Sequence, residues 1–390
     1  MNLVHKFAKV QNQGQFSQQF IEFQNTLRES QDKIVSDLVF GTSHDIEVSA
    51  LIDVLKTTSE PKTPDWFGYL SHLSEAQVAI SAGLSSLRGM NISPENIFLT
   101  TGTGHSLSVL FRLVCIPQAD EIIVIEPYWF GYQPQIKSAG GRSVLVSLEP
   151  EKFVLDCERI SDAINDRTAA IVINSPHNPT GRVFSEKELS DLSLMLLEKS
   201  ESLKRPIYLI SDETFMRITY SGLPAPSPCA FYPYSFLAYG YSKQLLAGGQ
   251  RIGYIALAPD FPDAEEVRPL INRDLAIANG WSYPSALMQR ALPLFDNLCI
   301  DLQELKSKKD WLTAELKELG YSVVEPEGAY FLLVHCNDDD VALALSLLER
   351  GVSVLPGSTM GIPGYVRISL TATREMLRYA VSNGFTVVRH

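Results

Sequence analysis

The sequence has 390 residues, of which 45% are hydrophobic and 20% are charged, a composition that is ordinary for a folded globular protein. A chain of this length exceeds what one hydrophobic core usually supports, so we expect two domains. The formal net charge of -12 disfavours nucleic acid as a partner and favours solubility. The charge does not predict the sign of a substrate, because a buried site sets its own local field.

Cysteine usage and the N-terminal segment predict where the protein works. The five cysteines are scattered, with no C-x-x-C pair, which is typical of neither a disulfide framework nor a zinc site. The N-terminal segment MNLVHKFAKVQNQGQ lacks the apolar run of a signal peptide. We find no apolar stretch of about 18 residues or more, the length that a membrane span needs. These features predict a cytoplasmic protein that binds no membrane.

Short apolar runs alternate with helical patterns through the middle of the chain. The predicted strands are 97–101, 121–126, 143–148, 169–174, 207–211, 235–239 and 252–258. Helical periodicity is clearest over residues 107–114 and 186–200. This alternation predicts βαβ units around a mostly parallel sheet, in which ligands bind at the carboxyl ends of the strands.

The pattern changes near Pro284 and predicts a second domain of α+β type. The elements predicted beyond this point are a helix over 302–319, strands over 321–324 and 329–334, a helix over 341–348 and a last strand over 365–370. We expect the N-terminal segment to complete this domain. The predicted division is therefore a large domain of residues 50–284 and a small domain of residues 1–49 plus 285–390.

The most informative segment is GYSK, which ends at Lys243 and follows a predicted buried strand. Lysine is rarely buried without a function, and an amine held there can have a lowered pKa and form an imine with a carbonyl. Arg251 follows shortly among glycines, and its guanidinium can donate a forked pair of hydrogen bonds to a phosphate. Taken alone, the segment is equally compatible with a surface turn that carries two basic residues.

Three further segments end or follow predicted strands. NSPHNPTG, which begins at Asn174, forms a rigid turn in which an Asn side chain can donate to a phenolate oxygen. In SDE, the carboxylate of Asp212 needs a partner at that depth, and a protonated pyridine nitrogen is one. TTGTGH, which begins at Thr100, leads into a helix whose backbone N–H groups form an anion site. Each segment alone could be a turn or a helix cap, but their combination and order indicate one shared site.

In this order the segments resemble those of the class I/II aminotransferases, in the fold-type-I superfamily of pyridoxal-phosphate (PLP) enzymes. The resemblance runs from about Phe40 to the C-terminus. It rests on the motifs TGTGH, EPYW, NSPHNPTG, SDE, YSKQLLAGGQRIG and GYVRISL. It implies an α/β fold with a large, mostly parallel-sheet domain and a smaller α+β domain. It also implies PLP as cofactor, an amino acid as small-molecule substrate, and a homodimer with shared active sites.

The resemblance implies a role for each matching residue around the cofactor ring. Lys243 forms the Schiff base and later moves the Cα proton of the substrate. Asp212 holds the proton of the pyridine nitrogen, so that the ring can accept electrons from a carbanion. Asn178 hydrogen-bonds the ring O3′ atom and lies beside the substrate. Trp129 stacks on the ring, unless it is only a core aromatic residue.

Other matches concern the phosphate and the substrate. The residues implied to hold the phosphate are Thr103, Gly104, His105 and Arg251. Tyr69 reaches the phosphate of the neighbouring subunit, although its segment aligns with a small gap. Arg367 clamps the α-carboxylate of the substrate through a bidentate pair. Gly41 matches a small residue that lets the substrate approach the backbone.

Two positions depart from the family pattern. Phe215 stands where the family usually has Tyr, whose phenol hydrogen-bonds O3′. Without this phenol we expect a resting Schiff base that is more fully protonated at neutral pH. Gly240 stands where Ser or Thr usually contributes a hydroxyl group to the phosphate. Neither change removes Lys243 or Asp212, so we expect carbanion chemistry to be retained.

The loop FGTSHDIE, residues 40–47, is also unusual for the family. Its polar and partly acidic character suggests that His44 and Asp45 recognise a cationic side chain such as a guanidinium. A merely solvated loop is the simpler interpretation. The sequence has no clear second arginine for a dicarboxylic substrate.

Two reactions fit these residues, both through an external aldimine and a Cα carbanion. In the first, transamination, the amino group is taken up and then passed to a 2-oxo acid. In the second, the carbanion expels the hydroxyl of a hydroxyarginine and the guanidine closes a ring, as in relatives that make capreomycidine or enduracididine. A non-catalytic regulator is disfavoured because little sequence precedes Gly41. A nicotinamide dehydrogenase is disfavoured because no G-x-G-x-x-G follows an early strand.

Overall fold

The structure is a computed structural model, and it describes residues 15–42, 44, 49–150, 152–278, 280–336 and 339–386. The helices are α1 (Gln15–Glu29), α2 (Ser49–Ser59), α3 (Ser74–Arg88), α4 (Thr103–Val114), α5 (Tyr132–Ser138), α6 (Cys157–Ala163), α7 (Glu186–Leu203), α8 (Ala264–Arg273), α9 (Ala286–Phe295), α10 (Leu302–Glu318), α11 (Asp340–Glu349) and α12 (Arg374–Tyr379). The strands are β1 (Ser36–Asp37), β2 (Ile97–Thr100), β3 (Glu121–Glu126), β4 (Arg142–Ser147), β5 (Thr168–Asn174), β6 (Tyr208–Asp212), β7 (Ser235–Gly240), β8 (Gly253–Leu257), β9 (Ser322–Val324), β10 (Phe331–His335), β11 (Val352–Ser353), β12 (Leu355–Pro356) and β13 (Tyr365–Ser369).

A seven-stranded sheet forms the centre of the larger part of the molecule, in the order β2-β8-β7-β6-β5-β3-β4. The strands from β7 to β4 run parallel, while β8 is antiparallel to both of its neighbours. Every residue of β2, β5, β7 and β8 is buried, as expected for a sheet that is covered on both faces. The predicted α/β class and mostly parallel sheet are confirmed, and each of the seven predicted strands is present within two residues of its expected ends.

The helices that cover the sheet begin with clear local signals. The Ser185 side chain accepts a hydrogen bond from the Glu188 backbone N–H group, and the Glu188 carboxylate accepts one from the Ser185 backbone N–H group. This capping box starts α7. Helix α4 begins after Gly102, whose φ of +104° favours glycine. Because α4 follows β2 directly, and β2 runs in the same direction as β7, the N-terminus of α4 lies at the edge of the sheet where the parallel strands have their carboxyl ends.

A second, antiparallel sheet has the order β12-β13-β10-β9. Its central pair places Leu333 opposite Arg367. The N-terminal part of the chain joins this region, because β1 pairs in parallel with β11 through Ser36 and Val352. The α+β character of this part therefore agrees with the expectation, whereas the exact division into residues 50–284 and 1–49 plus 285–390 stays a prediction.

Helix α9, which follows the predicted boundary, packs with the larger part. Its buried residues Met288, Leu292 and Phe295 belong to the same hydrophobic cluster as Phe98 of β2 and Tyr254 of β8. Among the described helices, none is both long enough and apolar enough to cross a membrane.

Candidate active site

A cavity of about 440 Å³ opens at the carboxyl ends of β5, β6 and β7. Asn174 and Asp212, the last residues of β5 and β6, line it, as does Lys243 shortly after β7. This is the position at which parallel sheets bind ligands. The predicted site residues that line the cavity together are Gly41, Thr103, Gly104, Trp129, Asn178, Asp212, Lys243, Arg251 and Arg367.

The segment that carries Lys243 is held on both sides by Asp296. The Tyr241 hydroxyl donates to Asp296 Oδ1 at 2.5 Å, and Gln244 Nε2 donates to the Asp296 backbone oxygen at 2.6 Å. Both side chains are buried, whereas Lys243 is only partly buried and has its Nζ atom 5.9 Å from the centre of the Tyr330 ring. The backbone is therefore fixed while the amine faces the cavity.

Asp212 is a buried carboxylate with 4% of its surface exposed. Burial raises the pKa of this carboxyl to about 6, against the effect of hydrogen bonds from Tyr132 and from the Thr214 backbone, and nearby Glu213 raises it further. The Tyr132 hydroxyl donates to Asp212 Oδ2 at 2.7 Å, and the Thr214 N–H group donates to Oδ1 at 3.1 Å. A carboxylate under this penalty gains from a cationic partner, and a protonated pyridine nitrogen fits that requirement.

Arg367 and Asn178 form one end of the site. The Nη1 atom of Arg367 donates to Asn178 Oδ1 at 2.8 Å, and its Nη2 atom donates to the Val39 backbone oxygen at 2.9 Å. The guanidinium is 3% exposed, and burial lowers its pKa. Within the described part of the chain, its Nε atom is buried without a hydrogen-bond partner. A buried cation with an unused donor is suited to bind a carboxylate.

The turn of NSPHNPTG is fixed by its own side chains. The Asn174 side chain accepts a hydrogen bond from the Asn178 backbone N–H at 2.7 Å. Its Nδ2 atom donates to the Asp212 backbone oxygen at 2.7 Å, which ties the turn to the end of β6. Asn178 and Asp212 are thereby held in a fixed relation at the bottom of the cavity.

The opposite end of the site has the character of an anion cradle. Thr103 and Gly104 begin α4, where backbone N–H groups and the helix dipole favour negative charge. The Arg251 guanidinium lies against Gly102, since a Cβ atom at Gly102 would come within 2.7 Å of Arg251 Nη2. Arg251 is steadied by a hydrogen bond from Nη1 to the Gly248 backbone oxygen at 3.0 Å. A phosphate group fits this combination of a helix N-terminus and a guanidinium.

Two glycines mark close approaches inside the site. A Cβ atom at Gly240 would lie 2.5 Å from Thr103 Oγ1 and 2.8 Å from the Thr103 backbone nitrogen, so the Ser or Thr usual in the family has no room here. The Thr103 hydroxyl occupies that space and is bonded to Thr214 Oγ1 at 3.0 Å. At Gly41 an added Cβ would collide with the hydroxyl and ring of Tyr330. Both positions therefore require glycine for space.

Three further predicted residues, His105, Tyr69 and His44, lie outside the described cavity lining. His105 Nδ1 accepts a hydrogen bond from the Thr101 backbone at 3.2 Å, so its side chain turns toward its own helix start. Tyr69 is 93% exposed. His44 is exposed and pairs with Thr42 Oγ1 at 3.1 Å, and Asp45 lies outside the described residues. The roles of these residues stay predictions.

Sequence reasoning missed several residues of the site. Thr214 and Ser242 line the cavity beside predicted residues, and their position next to Asp212 and Lys243 was a usable signal. Tyr132 had no such signal, because its partner Asp212 lies 80 positions away.

Comparison with known proteins is consistent with this site. The model of the family "Aminotransferase class I and II" matches residues 44–383. The chain is 31% identical to an aspartate aminotransferase of Bacillus subtilis, with 79% of this chain and 80% of that protein covered. It is 32% identical to an aspartate/prephenate aminotransferase of Thermus thermophilus, with the same coverage of 79% and 80%. Its structure superimposes on a crystal structure of an amino transferase from Eubacterium rectale with a TM-score of 0.88, at 27% identity and with 99% of this chain and 98% of that chain covered.

The chain therefore belongs to the class I and II aminotransferase family, as the motifs predicted. It is a PLP-dependent enzyme with the fold-type-I architecture. The residues present fit this cofactor, since one cavity combines a lysine amine, a buried carboxylate and an anion cradle.

Proposed function

We propose that the enzyme transfers the amino group of an L-α-amino acid to a 2-oxo acid, with Lys243 as the residue that binds the cofactor covalently. The observation that carries this proposal is the meeting of Lys243, Asp212 and Arg367 in one cavity. An amine, a buried acid and a carboxylate-binding guanidinium are the three groups that amino acid chemistry at Cα requires.

PLP supplies an aldehyde that binds amines covalently and a ring that accepts electrons. Asp212 lies buried where its carboxylate can hold a proton on the ring nitrogen, and Tyr132 keeps that carboxylate oriented. Thr103, Gly104 and Arg251 would hold the phosphate, and Trp129, which lines the same cavity, would pack against the ring. Because Asn178 Oδ1 already accepts from Arg367, the amide N–H group of Asn178 is the part that can serve the O3′ atom.

Arg367 and Lys243 act on the substrate. The Arg367 guanidinium binds the α-carboxylate and thereby fixes the position of Cα. The Lys243 amine, once free, would accept the Cα proton and give it back at the carbon that carried the cofactor's aldehyde. Water would then release the substrate as a 2-oxo acid, and the retained amino group would pass to the second 2-oxo acid in the reverse sequence. Gly41 has no side chain, so the Tyr330 ring can lie directly against the backbone there, and we expect the substrate to bind beside this close contact.

Covalent attachment is the direct test. Purified protein is incubated with PLP and reduced with borohydride, and the modified peptide is identified by mass spectrometry. We expect the added mass on Lys243 and none on Lys308, a buried lysine outside the site whose Nζ donates to the Ala372 backbone oxygen at 2.7 Å. An unmodified Lys243 in fully folded protein would reject the proposal.

The cyclisation of a hydroxylated arginine remains a distinct second outcome of the same site. It receives less support, because Asp212 is the one carboxylate among the described lining residues, and this carboxylate would be taken up by the ring nitrogen of the cofactor. The two reactions separate when an amino acid is added without any 2-oxo acid. Transamination stops after one equivalent per site, whereas cyclisation continues for many turnovers with release of water.

We also propose a homodimer with shared sites. Tyr69 and Phe67 are 93% and 60% exposed, and Tyr69 meets Trp281 edge-on with ring centres 5.8 Å apart. Exposed aromatic surface of this kind is typical of a protein interface. We expect a second chain to cover it and Tyr69 to reach the phosphate of that chain. Mixing Tyr69→Ala with Lys243→Ala chains should then restore activity, whereas sites confined to single chains would leave the mixture inactive.

The proposed compartment is the reducing cytoplasm. The five cysteines are unpaired thiols. Burial raises the pKa of Cys115 to about 11 and that of Cys229 to about 12, so both stay protonated and unreactive.

A further inference from the structure

The charged residues of the cavity limit which substrate side chain it can bind. This inference rests on the proposed function. The basic side chains of the described lining are Lys243, Arg251 and Arg367. Lys243 is proposed to attach the cofactor, Arg251 to bind its phosphate and Arg367 to bind the α-carboxylate, so each already has a role. A dicarboxylic substrate such as aspartate needs a further cation, because a buried carboxylate without a partner keeps its desolvation penalty.

Much of the remaining lining is aromatic. Rings from four separate parts of the chain face the cavity, and we call them the aromatic wall: Phe40, Phe130, Phe215 and Phe331. Within this wall, Phe215 and Phe331 have ring centres 5.8 Å apart at an angle of 78°. Such edge-to-face contacts stabilise aromatic groups beyond the burial of their area.

Helix α1 supports the aromatic wall from outside the cavity lining. Phe20 stacks on Phe130 with ring centres 3.7 Å apart and planes inclined by 20°. The same Phe20 ring meets Phe40 edge-on at 6.2 Å. Side chains that are already packed by neighbours lose little freedom when a ligand binds, so the wall is preorganised.

The aromatic wall is continuous with the group that anchors the substrate. The Arg367 Cζ atom lies 3.7 Å from the centre of the Phe331 ring. A substrate whose α-carboxylate is bound by Arg367 therefore has its side chain beside aromatic surface. We infer that the enzyme prefers an amino acid with a bulky apolar side chain, best an aromatic one, over a dicarboxylic or guanidino amino acid.

Unreactive carboxylates test this assignment by binding alone. The holoenzyme is titrated by calorimetry with 3-phenylpropanoate, succinate and 5-guanidinopentanoate, which lack the amino group of phenylalanine, aspartate and arginine. We expect 3-phenylpropanoate to bind at least tenfold more tightly than either of the others. Equal or tighter binding of succinate or of 5-guanidinopentanoate would overturn the assignment.

Two substitutions at Phe130 make the test specific to the aromatic wall. Phe130→Ala should lower the affinity for 3-phenylpropanoate at least tenfold. It should change the affinity for butanoate, which lacks the ring, less than threefold. Phe130→Lys should reverse the preference in favour of succinate. An equal loss of affinity for butanoate and 3-phenylpropanoate would show that Phe130 does not contact the substrate side chain, and would overturn the inference.

The failure of this inference can be distinguished from failure of the proposed function. If borohydride fixes no cofactor on Lys243, the proposed function itself fails. If the cofactor is fixed there and succinate binds as tightly as 3-phenylpropanoate, only the substrate class is wrong.

Discussion

Replacing Asp212 by asparagine should stabilise the cofactor-free protein, although it removes a group that we place at the cofactor. Burial raises the pKa of this carboxyl from 3.8 to about 6. Each pKa unit corresponds to about 1.4 kcal/mol, so the charged carboxylate lowers the free energy of unfolding by about 3 kcal/mol. The amide of Asn has nearly the same shape but no charge, and it avoids this penalty.

The sign of the effect follows from proton binding. The folded protein holds its proton more tightly than the unfolded chain between pH 3.8 and about 6, so its stability falls as the pH rises through this window. The penalty is absent below the window and complete above it. The advantage of Asp212→Asn should therefore be about 3 kcal/mol at pH 8 and about half of that at pH 5.

Urea unfolding of cofactor-free wild type and Asp212→Asn at pH 5 and pH 8 measures this difference. Tyr132→Phe provides the matched control, because loss of its hydrogen bond to the charged carboxylate should destabilise the protein by about 1.5–3 kcal/mol at pH 8. Addition of PLP should reverse the order of wild type and Asp212→Asn, since only the carboxylate can pair with a protonated ring. An Asp212→Asn protein that is no more stable at pH 8, or more stable by the same amount at both pH values, would refute this reasoning.

Three further substitutions test the close contacts of the site. Gly240→Ser introduces a residue that is usual in the family, but its Cβ atom would collide with Thr103. We therefore expect it to destabilise the protein by about 1–3 kcal/mol and to weaken PLP binding. Tighter PLP binding in a fluorescence titration would contradict this. Gly41→Ala should force Tyr330 aside and lower kcat/KM at least tenfold, and unchanged steady-state kinetics would argue against the close approach. Phe215→Tyr should add a hydrogen bond to the bound cofactor and thereby move the pH titration of its absorbance to lower pH by about one unit. A spectral titration of both proteins measures this shift, and identical titrations would contradict the prediction.

The sequence by itself determined the strands and the principal groups of the site. The strands of the large sheet are continuous apolar runs, and that pattern is local, so it can be read without knowing which strands are neighbours. Lys243 and Asp212 each follow or end such a run, and parallel strands bring their carboxyl ends to one edge. Their meeting in one cavity was therefore predictable from order along the chain.

Only the tertiary structure decided the contacts between distant segments. Local sequence does not indicate that β8 runs antiparallel, that α9 packs with the larger part, or that Phe20 supports the ring of Phe130. The bond between Arg367 and Asn178 joins residues 189 positions apart. Such pairings depend on which surfaces remain to be covered once the sheets have formed. The physical reason is that local patterns specify the burial of a residue, whereas its partner is selected by packing of the whole chain.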